Sequence, residues 1–163
     1  MLRPDVMSLR DLDPDHTKLK LIGHSAAGDE ELSSTVDDHA FLLTELAQGL
    51  AEGGLSPDFE DFRLEGCETA DAETRTAFSG HPELDKQTNT AELAPAQRLA
   101  NAPADAGFAR ARVAGYEGFG VARPTGLHQE RLLGTFEAPT AKARRSHVKR
   151  VFIPRKLTLP SSS

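Results

Sequence analysis

At 163 residues with one cysteine and a formal net charge of −6, the chain is long enough to bury a core as a single domain without disulfides or a structural metal. One thiol cannot close an internal disulfide, and no cluster of four cysteine or histidine ligands stands at zinc spacing. No apolar run approaches the roughly 20 residues of a membrane-spanning helix, and "MLRPDVMSLRDLDPD" lacks the apolar core of a signal peptide. The expectation is a soluble protein whose thiol suits a reducing compartment.

"KLKLIGH" (18–24) alternates and then runs apolar, the pattern of a strand buried on both faces. "AAGDEELSS" reads as a surface loop. Apolar residues at Val36, Ala40, Leu43, Leu46, Ala47 and Leu50 then predict one amphipathic helix over 34–52, with Ser34 or Thr35 as its N-cap and Gly53–Gly54 as its stop. "LSPDFED" turns the chain into a second strand, "DFRLEGC". Strand, helix and strand make a right-handed crossover, so 18–22 and 62–65 are expected to be adjacent and parallel.

From Glu68 to about Asn89 the chain is polar and turn-rich and reads as a long loop. "TAELAPAQRLANA" predicts a helix with Pro95 in its first turn. "GFARARVAGYEG" and "FGVARPTG" are short strands, "VKRVFIPRKLTL" is the last one, and 161–163 form a disordered tail. The order implies one domain over 1–160, an α/β sheet with an antiparallel appendage.

Charge is unevenly spread. No acidic residue follows Glu137, whereas Lys142, Arg144, Arg145, Lys149, Arg150, Arg155 and Lys156 all do. A basic end on an acidic body either binds an anion or neutralises its own protein. Nucleic acid is not an expected partner, because "KARRSHVKR" has no interleaved aromatics and the acidic body repels a phosphate backbone.

In parallel sheets, functional groups collect at the carboxyl ends of the strands. The two strands of the crossover end in Gly23-His24 and Gly66-Cys67. A histidine beside a cysteine can take the thiol proton or stabilise the thiolate, which is the nucleophile. The backbone N–H groups of Ser25 and Cys67 are candidates to receive the oxyanion of an acyl-transfer intermediate. Each residue also has a plainer reading, the cysteine as a small buried hydrophobe and the histidine as a hydrogen-bonded structural residue. The pairing at equivalent strand ends is what those plainer readings leave unexplained. His16, His39, His81, His128 and His147 are scattered and are given no role.

"LKLIGHS" followed by "FRLEGC" resembles the His-Gly and Gly-Cys dyad of caspase-like cysteine peptidases. Within that group the chain is most similar to the autoprocessing cysteine protease domains of large bacterial toxins, of the RTX and clostridial glucosylating types. The helix "LLTELAQGLAEG", the "SP" turn and the hairpin-like "ARVAGYEGFGVARPTGLHQ" extend the likeness from Lys18 to Gly126. The resemblance implies a caspase-like, mostly parallel central sheet flanked by helices, with a C-terminal antiparallel β-flap. It implies a thiol endopeptidase with His24 and Cys67 catalytic, cleaving after leucine and needing no metal or cofactor for its chemistry. It also implies activation by inositol hexakisphosphate at a basic surface beside the flap, which here would be Lys142, Arg144, Arg145, Lys149, Arg150, Arg155 and Lys156. Such a protein is expected to leave the bacterium without a cleavable signal peptide and to act as a virulence effector on a protein or peptide substrate in host cytosol. Ser25 stands where the family has glycine, and no acidic residue is assigned to orient His24. The alternative is a catalytically inactive caspase-like module that binds a polyanion or a protein through its basic C-terminal segment.

Overall fold

The computed structural model describes residues 8–34, 36–37, 39–78, 93–121, 130–135 and 137–155. Of the expected features, Thr35, everything from residue 79 to 92, residues 122–126 of the expected strand, Lys156 and residues 161–163 lie outside the described residues. Strand β1 (Leu19–Ile22) pairs in parallel with β4 (Asp61–Glu65), Leu19 against Phe62 and Ile22 against Glu65. Strand β4 pairs in parallel with β5 (Arg112–Tyr116), and β9 (Lys149–Phe152) closes the sheet antiparallel to β5, giving the order β1-β4-β5-β9. The chain is therefore mixed α/β, with the adjacency and direction of 18–22 and 62–65 as expected. A separate antiparallel sheet holds β6 (Phe119–Val121), β7 (Glu130–Gly134) and β8 (Pro139–Arg144).

Strand β4 shows why the core forms where it does. Phe62 and Leu64 are buried, while Asp61, Arg63 and Glu65 on the other face are only partly covered. Helix α1 (Leu43–Glu52) contributes Leu43 and, less deeply, Leu46 and Leu50; helix α2 (Pro95–Asp105) contributes Ala96, Leu99 and Ala100. Both helices thus share one core with the inward residues of the sheet. Phe62 is its centre, with Phe59 and Phe108 edge-on at 5.3 and 5.8 Å between ring centroids. Pro95 opens α2 as its first residue, where a missing N–H costs nothing.

Three expectations are corrected. The helix expected over 34–52 begins only at Leu43; before it, β2 (Glu31–Ser33) and β3 (Ala40–Leu42) form an antiparallel hairpin. The Ser34 hydroxyl accepts from the Val36 and Asp37 N–H groups at 3.1 and 3.3 Å, as a helix N-cap would, but the Ser34 N–H then bonds the His39 carbonyl at 2.7 Å and closes a turn. Val36, taken for a core position, is 92% exposed. The supposed surface loop "AAGDEELSS" contains β2. Finally, β1 is not buried on both faces: as the sheet edge it turns Lys20 and Ile22 outward, Ile22 with 70% of its surface exposed. Strands β7 and β8 have no counterpart in the sequence reading.

Because Phe62 is completely buried between two other rings, Phe62→Ala should destabilise the fold by about 3–5 kcal/mol. Urea unfolding of the two proteins measures this, and a loss below about 1 kcal/mol would place the core elsewhere.

Candidate active site

Two glycines bring the ends of β1 and β4 together. The Gly23 N–H donates to the Glu65 carbonyl at 3.1 Å, which carries the parallel ladder one step past Ile22 and Glu65. A Cβ on Gly66 would stand 3.0 Å from the Gly23 carbonyl oxygen and 3.2 Å from Ser25 Cβ; one on Gly23 would meet Leu32 and the Ser33 carbonyl at 2.6 Å. His24 and Cys67 therefore follow neighbouring strands at the same offset. His24 is tied through both its backbone groups to Ser33 of β2, at 2.8 and 2.9 Å, so the hairpin missed in the sequence is what fixes its position. The residue is exposed, and its ring makes no hydrogen bond among the described residues. Cys67 is half-buried and free of any disulfide.

After Cys67 the chain turns sharply. Glu68 has φ 51°, the left-handed region, and is the one non-glycine residue with positive φ among the described residues. That conformation costs a side chain about 1–2 kcal/mol, so something must hold it. The Glu68 N–H donates to the Gly118 carbonyl (2.9 Å) and the Ala70 N–H to the Tyr116 carbonyl (3.1 Å). The fully buried Thr69 hydroxyl accepts from the Tyr116 N–H (2.9 Å) and donates to the Leu64 carbonyl (3.2 Å), while the Thr69 carbonyl takes the Ala96 N–H at the start of α2 (2.9 Å). Arg131, on β7, reaches in from the second sheet, its Nη1 donating to the Gly66 carbonyl at 2.7 Å and the Gly118 carbonyl at 3.1 Å. Among the described residues the Ser25 and Cys67 N–H groups donate to nothing. These are the two groups the sequence assigned to an oxyanion.

Charges are buried around this turn. Asp71 and Glu117 are both sealed from solvent. The Asp71 Oδ2 accepts from the Gly118 N–H at 2.8 Å, and its Oδ1 lies 2.7 Å from Arg75 Nε. Arg75 also approaches Glu117 (3.5 Å), which Arg150 meets at 3.0 Å. Burial pushes the Asp71 carboxyl up to about 6; the Gly118 N–H and Arg75 pull it down, and the Glu117 and Glu68 carboxylates add to the rise. Arg145 pairs with Glu65 and stacks over Tyr116, 4.0 Å from Cζ to the ring centroid, with Arg131 over the same ring at 4.9 Å. Burial lowers the pKa of Arg131, the Arg145 charge lowers it further, and Cys67, Glu65 and Tyr116 oppose that shift.

The described basic residues of the C-terminal segment differ in exposure and in partners. Lys142 and Arg144 are exposed on the same face of β8. Arg145 and Arg150 are engaged with Glu65 and Glu117. Lys149 is half-buried opposite Tyr116, and Arg155 is exposed, its N–H bonded to Asn101 Oδ1 on α2 at 2.9 Å. No group of three or more histidine, cysteine, aspartate or glutamate side chains could hold a metal, and no helix is long and apolar enough to cross a membrane, among the described residues. Thr69, Asp71, Glu117 and Arg131 escaped the sequence reading; for Arg131 the one available signal is a lone cation within the apolar "ERLLG". No family model and no curated protein matches the chain.

The raised Asp71 carboxyl sets a pH dependence. The folded protein takes up this proton near pH 6 and the unfolded chain only near the ordinary 3.8. The stability it contributes is thus greatest below pH 4 and is lost as pH rises through 6, by about 3 kcal/mol in all. Relative to wild type, Asp71→Asn should flatten the stability profile between pH 4 and 7 in chemical unfolding; parallel profiles would mean that Asp71 ionises as an ordinary carboxyl.

Proposed function

We propose that the chain is a cysteine endopeptidase in which Cys67 is the nucleophile and His24 its general base and acid. The observation that carries this reading is the placement of Gly-His and Gly-Cys at the same offset past two paired parallel strands, with the N–H groups of Ser25 and Cys67 unspent. In the reaction, the Cys67 thiolate attacks the scissile carbonyl carbon. A C–S bond forms, and the displaced electron pair moves to the carbonyl oxygen, where the two N–H groups receive it. Collapse expels the amine, which takes its proton from the His24 imidazolium. Water then adds to the thioester as His24 accepts its proton, and Cys67 leaves as thiolate.

The toxin or effector setting, cleavage after leucine, action in host cytosol and activation by inositol hexakisphosphate extend this proposal on the strength of the resemblance to the toxin autoprocessing domains. For the polyphosphate, the exposed Lys142 and Arg144 on β8 and the exposed Arg155 are available anchors, whereas Arg145 and Arg150 would have to leave their carboxylates. The second reading, an inactive module binding a polyanion or protein partner through its basic end, has one observation on its side: the His24 ring makes no hydrogen bond among the described residues.

Labelling separates the two. A peptidyl acyloxymethyl ketone with leucine beside the ketone should modify Cys67 in the wild type, with inositol hexakisphosphate accelerating the reaction. His24→Ala should slow labelling at least 100-fold, and Cys67→Ala should keep the fold while losing both the label and any proteolysis. Labelling of the wild type no faster than that of free cysteine would leave the binding module. A calorimetric titration with inositol hexakisphosphate at low salt should give heat that fades with added salt, since exposed charges are screened over about 8 Å at physiological ionic strength; no heat at low salt would remove the activator from the proposal.

A further inference from the structure

Arg131 is 2% exposed, and its Nε has no hydrogen-bond partner among the described residues. An aliphatic side chain would fill the same space on β7 without taking a charge out of water, so packing does not explain a guanidinium here. What the guanidinium does is grip two carbonyls, Gly66 at 2.7 Å and Gly118 at 3.1 Å. The exposed Gly120 faces Arg131 across the β6–β7 ladder, and a Cβ there would press to 3.3 Å from its Cζ and Nη1. The strand opposite is thus bare where the guanidinium lies.

The Gly66 carbonyl and the Cys67 N–H belong to one peptide plane. In a trans peptide the two point in opposite directions, so a donor fixed on the carbonyl also fixes where the N–H points. A charged donor polarises the amide as well, making its N–H a stronger donor in turn. We infer that Arg131 is a positioning residue for acyl transfer: by clamping the Gly66 carbonyl against the Gly118 turn, it aims the Cys67 N–H at the oxygen of the tetrahedral intermediate. This role rests on the peptidase reading, and it assigns the second sheet a part in the chemistry.

The test compares two reactions of Cys67 in the full chain. With p-nitrophenyl acetate the thiolate attacks the carbonyl carbon, a C–S bond forms, an oxyanion appears and p-nitrophenolate leaves. With iodoacetamide the thiolate displaces iodide, and no oxyanion forms. Arg131→Gln should lower acylation by about 10- to 100-fold more than it lowers alkylation. Arg131→Lys, which keeps the charge and one donor, should recover part of the loss. Gly120→Ala leaves the arginine in place and pushes its guanidinium by a few tenths of an ångström, so it tests the same point in a protein whose fold is not at risk; acylation alone should fall by about threefold. Equal losses in acylation and alkylation, or no loss in either, would overturn the positioning role while leaving the peptidase reading intact. A wild type with an acylation-to-alkylation ratio no higher than that of free cysteine would overturn both.

Discussion

The turn at Gly118 holds the chain that follows Cys67 by both of its backbone groups. Its carbonyl receives the Glu68 N–H and Arg131, and its N–H donates to Asp71. Gly118 itself sits at φ 67°, and a Cβ would come within 2.5 Å of the Leu132 carbonyl, so only glycine fits there. From this junction the constraints run outward: to the left-handed Glu68, to the Gly66 carbonyl under Arg131, and through the Asp71 carbonyl to the Gly28 N–H in the loop after His24 (2.9 Å). The β5–β6 turn, the Cys67 turn and the His24 loop are one connected unit. A strained residue survives in such a place because its neighbours over-determine it.

The same unit explains part of the charge asymmetry. The acidic body and basic end meet at the carboxyl edge of the main sheet, where Arg145 pairs with Glu65 and Arg150 with Glu117. Some of the positive charge in the C-terminal segment therefore neutralises carboxylates of its own protein. Ion pairs this deep contribute little net stability, because desolvation offsets the attraction, but breaking one partner leaves the other stranded. They bind β9 and the turn before it to the strand ends around Cys67 in one arrangement and strongly penalise others.

The elements legible in the sequence were those with local punctuation. β1 and β4 end at glycines after short apolar runs, and α2 opens at Pro95 and carries its apolar face in helical spacing. The candidate site residues His24 and Cys67 could be singled out for the same reason, as the residues just past those glycines. What failed was whatever depends on partners far away in the chain. Ser34 offers its hydroxyl to the second and third following N–H groups whether a helix or a tight turn comes next, and the pairing of Leu32 with Phe41 decided for the turn. Strand β7 is recognisable only once β6 and β8 flank it. Arg131, Asp71 and Glu117 look like surface charges in sequence, and only the fold shows them enclosed.

The ends of β1 and β4 are proposed to form one acyl-transfer site. Its most direct measurement is a crystal structure of the protein treated with a leucine-terminated peptide aldehyde, whose adduct with a thiol is a hemithioacetal bearing an oxygen in place of the oxyanion. The expected result is a covalent bond to Cys67, the adduct oxygen about 3 Å from both the Ser25 and Cys67 N–H groups, and the His24 ring within hydrogen-bond reach of the sulfur or the adduct oxygen. No adduct at Cys67, or an adduct oxygen turned to bulk water with the His24 ring pointing away, would contradict it.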